Sequence, residues 1–118
     1  MPRREEQSVT LDLSSTTNHR SRSDVIAVPA WATRCSVFLE ASGGWGSTPA
    51  TVEIKAGRTG ATRHVSFATP CTFSADGRQA DLLVDQVPEL VALVTSAASG
   101  GSIDTDAVCT FVFSDAPF

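Results

Sequence analysis

At 118 residues, with 42% hydrophobic and 19% charged residues, the chain is long enough for one packed core and too short for two. A formal net charge of −4 and a pI near 4.9 argue against nucleic-acid binding, which needs clustered Lys and Arg to meet phosphates. No apolar run approaches the roughly 20 residues that cross a bilayer as a helix, so no membrane partner is expected.

The charge is uneven. Residues 1–23 carry Arg3, Arg4, Arg20 and Arg22 against Glu5, Glu6 and Asp12, whereas acids outnumber bases two to one in the rest. The polar opening Met1-Pro2-Arg3-Arg4-Glu5-Glu6-Gln7 is charged where an export signal needs an apolar segment, so a chain retained without export is expected. Residues 8–13 then alternate, with Val9, Leu11 and Leu13 on one side and Thr10 and Asp12 on the other, the period of a strand. Residues 14–23 are a polar linker. Residues 1–23 therefore form either an edge strand of the chain's own sheet or an arm that adds its strand to a neighbour, and residues 24–118 form the main domain.

Short apolar or alternating runs follow one another with no sustained 3.6-residue period. A strand over 25–28 stops at Pro29, which lacks a donor for the ladder. In 34–40, Cys35, Val37 and Leu39 point inward while Ser36, Phe38 and Glu40 point outward, leaving Phe38 in need of a cover. The loop Gly43-Gly44-Trp45-Gly46 offers no sequence neighbour to bury Trp45. Its indole either folds back on the domain or contacts a protein or, less readily, a sugar ring.

Residues 51–56 alternate, and 63–73 read as one strand interrupted at Pro70. Asp76-Gly77 is a hairpin signal. Leu82 and Val84 form a core pair opposed by Leu83, and residues 90–95 suit the middle of a sheet buried on both sides. The last strand spans about 107–114, after which Phe118 seals the core or a contact.

Seven or eight strands with frequent turns imply an all-β, antiparallel two-sheet sandwich, jelly-roll-like, with an immunoglobulin-like sandwich as the alternative. The immunoglobulin order is disfavoured because Trp31 precedes Cys35 instead of following a first cysteine.

Catalytic patterns are weak, and no enzyme is expected. His19 and His64 are the two histidines, both read as solvated, and no G-x-S-x-G elbow accompanies them. Asp81 and Asp85 share a strand, and Asp104 and Asp106 share a loop whose oxygens fall short of the six to eight that Ca²⁺ requires. Cys35, Cys71 and Cys109 lack metal spacing and read as small buried hydrophobes; a Cys35–Cys109 bridge needs neighbouring strands. No cofactor or metal is expected. Contact residues are expected instead at Arg3, Arg4, Val9, Leu11, Arg20, Arg22, Phe38, Gly44, Trp45 and Phe118.

Four runs in order carry a resemblance: Ser23-Asp24-Val25-Ile26-Ala27-Val28-Pro29, Cys35-Ser36-Val37-Phe38-Leu39-Glu40-Ala41, Thr51-Val52-Glu53-Ile54-Lys55-Ala56-Gly57 and Leu90-Val91-Ala92-Leu93-Val94-Thr95-Ser96. Residues 24–96 so arranged resemble small virion structural proteins of tailed bacteriophages. That resemblance implies a jelly-roll-like sandwich that decorates a capsid or joins head, tail and fibre parts. It further implies other virion proteins and copies of itself as partners, and a place in a particle assembled in the host cytoplasm. A carbohydrate-binding module using Trp45 is the second expectation.

Overall fold

The computed structural model describes residues 3–12, 24–41, 50–68, 71–73, 76–96 and 106–115. Among these, nine strands and no helix are present: β1 (Arg4–Asp12), β2 (Ile26–Ala27), β3 (Arg34–Ala41), β4 (Ala50–Gly57), β5 (Val65–Ser66), β6 (Cys71–Phe73), β7 (Gly77–Leu83), β8 (Glu89–Ser96) and β9 (Asp106–Ser114). They form two antiparallel sheets. One runs β1-β9-β3-β7, and the other runs β2-β8-β4-β5 with β6 also on β4.

The count of nine exceeds the expected seven or eight because the 63–73 segment registers in two pieces. From Lys55↔Ser66 to Val52↔Cys71, β4 advances three residues and its partner five, so two extra residues are absorbed between β5 and β6. The interruption expected at Pro70 lies outside the described residues; β5 ends at Ser66 and β6 begins at Cys71. Taken as one interrupted strand, β5 and β6 complete eight strands in the order of a jelly roll.

The core is built by alternation. Leu11 from β1, Cys35, Val37 and Leu39 from β3, and Cys109, Phe111 and Phe113 from β9 are all buried beneath one sheet. Ile26, Val52, Ile54, Leu90 and Ala92 face them from the other sheet. Phe111 and Phe113 stack at 6.3 Å between centroids. Strand β8, flanked by β2 and β4, buries Leu90, Val91 and Ala92 consecutively, as its uninterrupted apolar run predicts.

The Asp76-Gly77 hairpin does not form. β6 pairs with β4 in one sheet and β7 pairs with β3 in the other, so Gly77 opens a strand that has crossed the sandwich. A turn signal reports a local reversal and cannot say which sheet receives the next strand.

β1 is an edge strand, paired with β9 over all nine of its residues, from Arg4↔Ser114 to Asp12↔Asp106. It starts earlier than the apolar pattern indicates because Arg4, Glu5 and Glu6 continue the ladder opposite Ser114, Phe113 and Val112, and ladder pairing does not require apolar side chains. The register also revises two expected contact residues. Leu11 is fully buried opposite Ala107, and Val9, opposite Cys109, packs on the core. In this structure both side chains serve the chain's own interior.

A candidate interaction face on the four-stranded sheet

The register of the β1-β9-β3-β7 sheet sets its outward residues in four rows. Arg4, Ser114, Arg34 and Leu83 form the first, and Glu6, Val112 and Ser36 the second. Ser8, Thr110, Phe38 and Arg78 form the third, and Thr10, Val108 and Glu40 the fourth. Three apolar side chains on this face meet solvent: Phe38 at 37% exposure, Val108 at 43% and Leu83 at 62%.

Phe38 has a cover of an unexpected kind. The Arg78 guanidinium lies 5.5 Å from the Phe38 ring centroid, and Arg78 Nε donates to Ser36 Oγ at 2.9 Å. Ser36 is fully buried, and on the same face Val112 and Ser114 of the inner strand β9 are buried as well. Ser8 and Thr110 share a hydroxyl hydrogen bond of 2.9 Å in the same row as Phe38.

Of the other contact residues expected from the sequence, Arg3 and Arg4 are exposed at one end of β1. There the Arg3 N–H donates to Asp115 Oδ1 at 2.8 Å. Arg20, Arg22, Gly44, Trp45 and Phe118 lie outside the described residues, as does His19. Arg34, Glu40, Arg78 and Val108, which sequence alone did not single out, join Phe38 through pairings of β3 with β7 and β9.

The opposite outer face differs. On β4, Glu53 Oε1 accepts a hydrogen bond from Ser66 Oγ at 3.1 Å and sits 3.6 Å from Lys55 Nζ, so its groups are satisfied locally.

His64 is not the solvated histidine that alternation implies. Its side chain is 1% exposed, and Nε2 lies 3.1 Å from Glu89 Oε2. Glu89 Oε1 accepts the Gly60 N–H at 2.8 Å. One carboxylate thus ties the β4–β5 connection to β8. That backbone donor, with His64 beside it, holds the Glu89 carboxyl below its usual range. The ring of His64 packs over Gly57, where a Cβ would stand 2.6 Å from His64 Cδ2.

Asp85 is exposed after β7, on a different connection from His64. Among the described residues, His, Cys, Asp and Glu do not gather in groups of three able to hold a metal. An apolar hollow of about 510 Å³ at one end of the sandwich includes Val28, Pro29, Val87 and Pro88 in its walls; its carboxylate, Glu89, is already engaged.

Cys35 and Cys109 are buried and free. β3 and β9 are neighbours, but Cys35 stands opposite Phe113 and Cys109 opposite Leu39, an offset that keeps the pair from bridging. Burial pushes both thiols up to about 12.

No protein-family model matches the sequence, and no curated protein matches it. Solved structures do. The SPBc2 prophage-derived protein YomS aligns with a TM-score of 0.53 and 9% identity, over 93% of this chain and 95% of that one. A chain of the cyanophage Pam1 capsid asymmetric unit aligns with a TM-score of 0.51 and 20% identity, over 96% of this chain and 84% of that one. At these identities the likeness is one of fold.

Proposed function

We propose that the chain is a non-enzymatic structural protein of a phage virion. It assembles with copies of itself and with other virion proteins, on the capsid or at a head–tail or fibre junction. The observation that carries this reading is the jelly roll itself, which aligns over nearly its whole length with a prophage-derived protein and with a chain of a phage capsid asymmetric unit. The outer face of the four-stranded sheet supports it, because Phe38, Val108 and Leu83, three of the five large apolar side chains exposed among the described residues, open on that one face. Such a protein works by presenting surface, and its chemistry is that of contact.

Co-sedimentation tests the reading. Purified chain is added to gradient-purified particles made without its gene, and the expected result is saturable binding at a copy number matching a capsid or tail symmetry. Chain that remains in the supernatant at every concentration contradicts it.

A further inference from the structure

We infer that the β4–β5 turn is a docking site for an acidic segment of a partner protein, whose carboxylates meet Arg58 and Arg63 and whose apolar side chain covers Val65. The site lies on the five-stranded sheet, apart from the outer face described above, and stands whether or not the partner belongs to a virion.

The turn has one fixed shape. The Ala61 N–H donates to the Arg58 C=O at 2.9 Å, and Gly60, at φ 74°, takes the left-handed third position of such a turn. The Gly60 N–H is held by Glu89 Oε1, and the buried ring of His64 packs against Gly57. Arg58 and Arg63 thus project from a pinned turn, and they flank a hollow of about 370 Å³ whose walls include Gly57, Ala61, Thr62 and Val65.

Charge decides the occupant. Residues 24–118 hold five bases against ten acids, yet two of the five bases stand at this turn. Neither guanidinium has a hydrogen bond or an ion pair among the described residues. The carboxylates of the adjoining strands are engaged elsewhere, Glu89 by Gly60 and His64, and Glu53 by Ser66 and Lys55. Two like charges beside one hollow repel, and carboxylates placed between them relieve the repulsion. Two cations on a chain of net charge −4 are too few to hold a phosphate backbone.

Val65 makes the occupant a peptide segment and not a bare anion. Its side chain is 67% exposed, more than any other large apolar residue described, and it lines the same hollow. An inorganic anion leaves that surface in water. A segment that carries carboxylates and an apolar side chain together answers both features.

NMR titration of the full chain tests it, with the Arg58 and Arg63 Nε–H signals and the Val65 methyls as reporters. The probe is a capped pentapeptide with a central valine between two pairs of glutamates. All three reporters shift saturably, with a dissociation constant on the order of 1 mM, as befits a few exposed contacts. Arg58→Gln, Arg63→Gln and Val65→Ser each weaken binding about threefold, and raising salt from about 20 to 300 mM weakens it about fivefold. Arg34→Gln, which alters an arginine of the other sheet, changes nothing. The inference is overturned by the absence of saturable shifts, by equal shifts from the same peptide with glutamine for glutamate, or by inorganic phosphate moving the Val65 methyls as far as the peptide does. It is also overturned if Arg34→Gln costs as much as Arg58→Gln, which marks net charge and not a site. Sedimentation equilibrium adds a last outcome: a chain that self-associates alone and loses this with Arg58→Glu has a second copy as the occupant, which overturns the inference as well.

Discussion

The guanidinium of Arg78 lies over the ring of Phe38, 5.5 Å from its centroid, while its Nε donates to Ser36 Oγ. One side chain from β7 thus roofs two successive outward residues of β3, covering a polar group and an aromatic together. Removing it by Arg78→Ala bares the ring and strips Ser36 of a charge-assisted partner. The loss in stability is expected at about 1–2 kcal/mol. Arg78→Lys recovers little, because an ammonium cannot both stack flat and donate from Nε. Urea unfolding of the three proteins checks this, with equal midpoints as the contrary result.

Gly57 and His64 form a second dependent pair. A methyl at position 57 meets His64 Cδ2 at 2.6 Å and Ala61 Cβ at 3.0 Å, well inside contact distance. Gly57→Ala therefore overpacks a turn pinned by Glu89, at an expected cost of ~1–3 kcal/mol. In a His64→Ala background the same substitution loses most of that cost, since the ring that blocks the methyl is gone. Thermal unfolding of the four proteins of the cycle reads the coupling; additive effects contradict the packing described.

Glu89 gives the fold a dependence on acid. The Gly60 N–H and His64 hold its folded pKa below the ordinary value, so the unfolded chain takes up the proton first as pH falls. The stabilisation is fully present above the unfolded pKa, about 4.3–4.5, and is lost as pH drops through the lower folded value. Glu89→Gln keeps an acceptor for Gly60 but removes the titration. Its stability falls less steeply than the parent's below pH 4.5, about where an ordinary glutamate titrates. Parallel slopes in urea midpoints against pH refute this.

Cys35 and Cys109 behave in the opposite sense. Buried thiols pushed up to about 12 stay protonated in the folded chain, while in the unfolded chain they ionise near the ordinary value of about 8.5. Their contribution is intact below that value and is lost as pH rises from there towards 12. In a Cys71→Ser background, neither thiol reacts with an aromatic disulfide reagent at pH 8 until denaturant is added. Prompt reaction of the folded protein is the contrary outcome.

Strand existence was legible wherever one face of a strand is buried. β3 and β4 alternate plainly, and the consecutive apolar residues of β8 mark an inner strand. Partnership was less legible. β1 pairs with β9 from the far end of the chain, and Arg78 reaches Ser36 across 42 positions, separations that no local window spans. The Asp76-Gly77 signal misled because the chain reverses there between sheets and not within one. His64 misled because alternation was extended into a turn, where Gly57 opens room for the ring. The interaction face was half legible: Phe38 stood out as an outward aromatic, but Arg34, Glu40 and Val108 join it only through register.

The central claim, a structural protein of a virion, is tested most directly by quantitative mass spectrometry of gradient-purified particles from cells carrying the gene. The account predicts peptides of this chain at a fixed ratio to the major capsid protein, unchanged by a second gradient in high salt. Peptides confined to the soluble fraction, or a ratio that falls with each purification, contradict it.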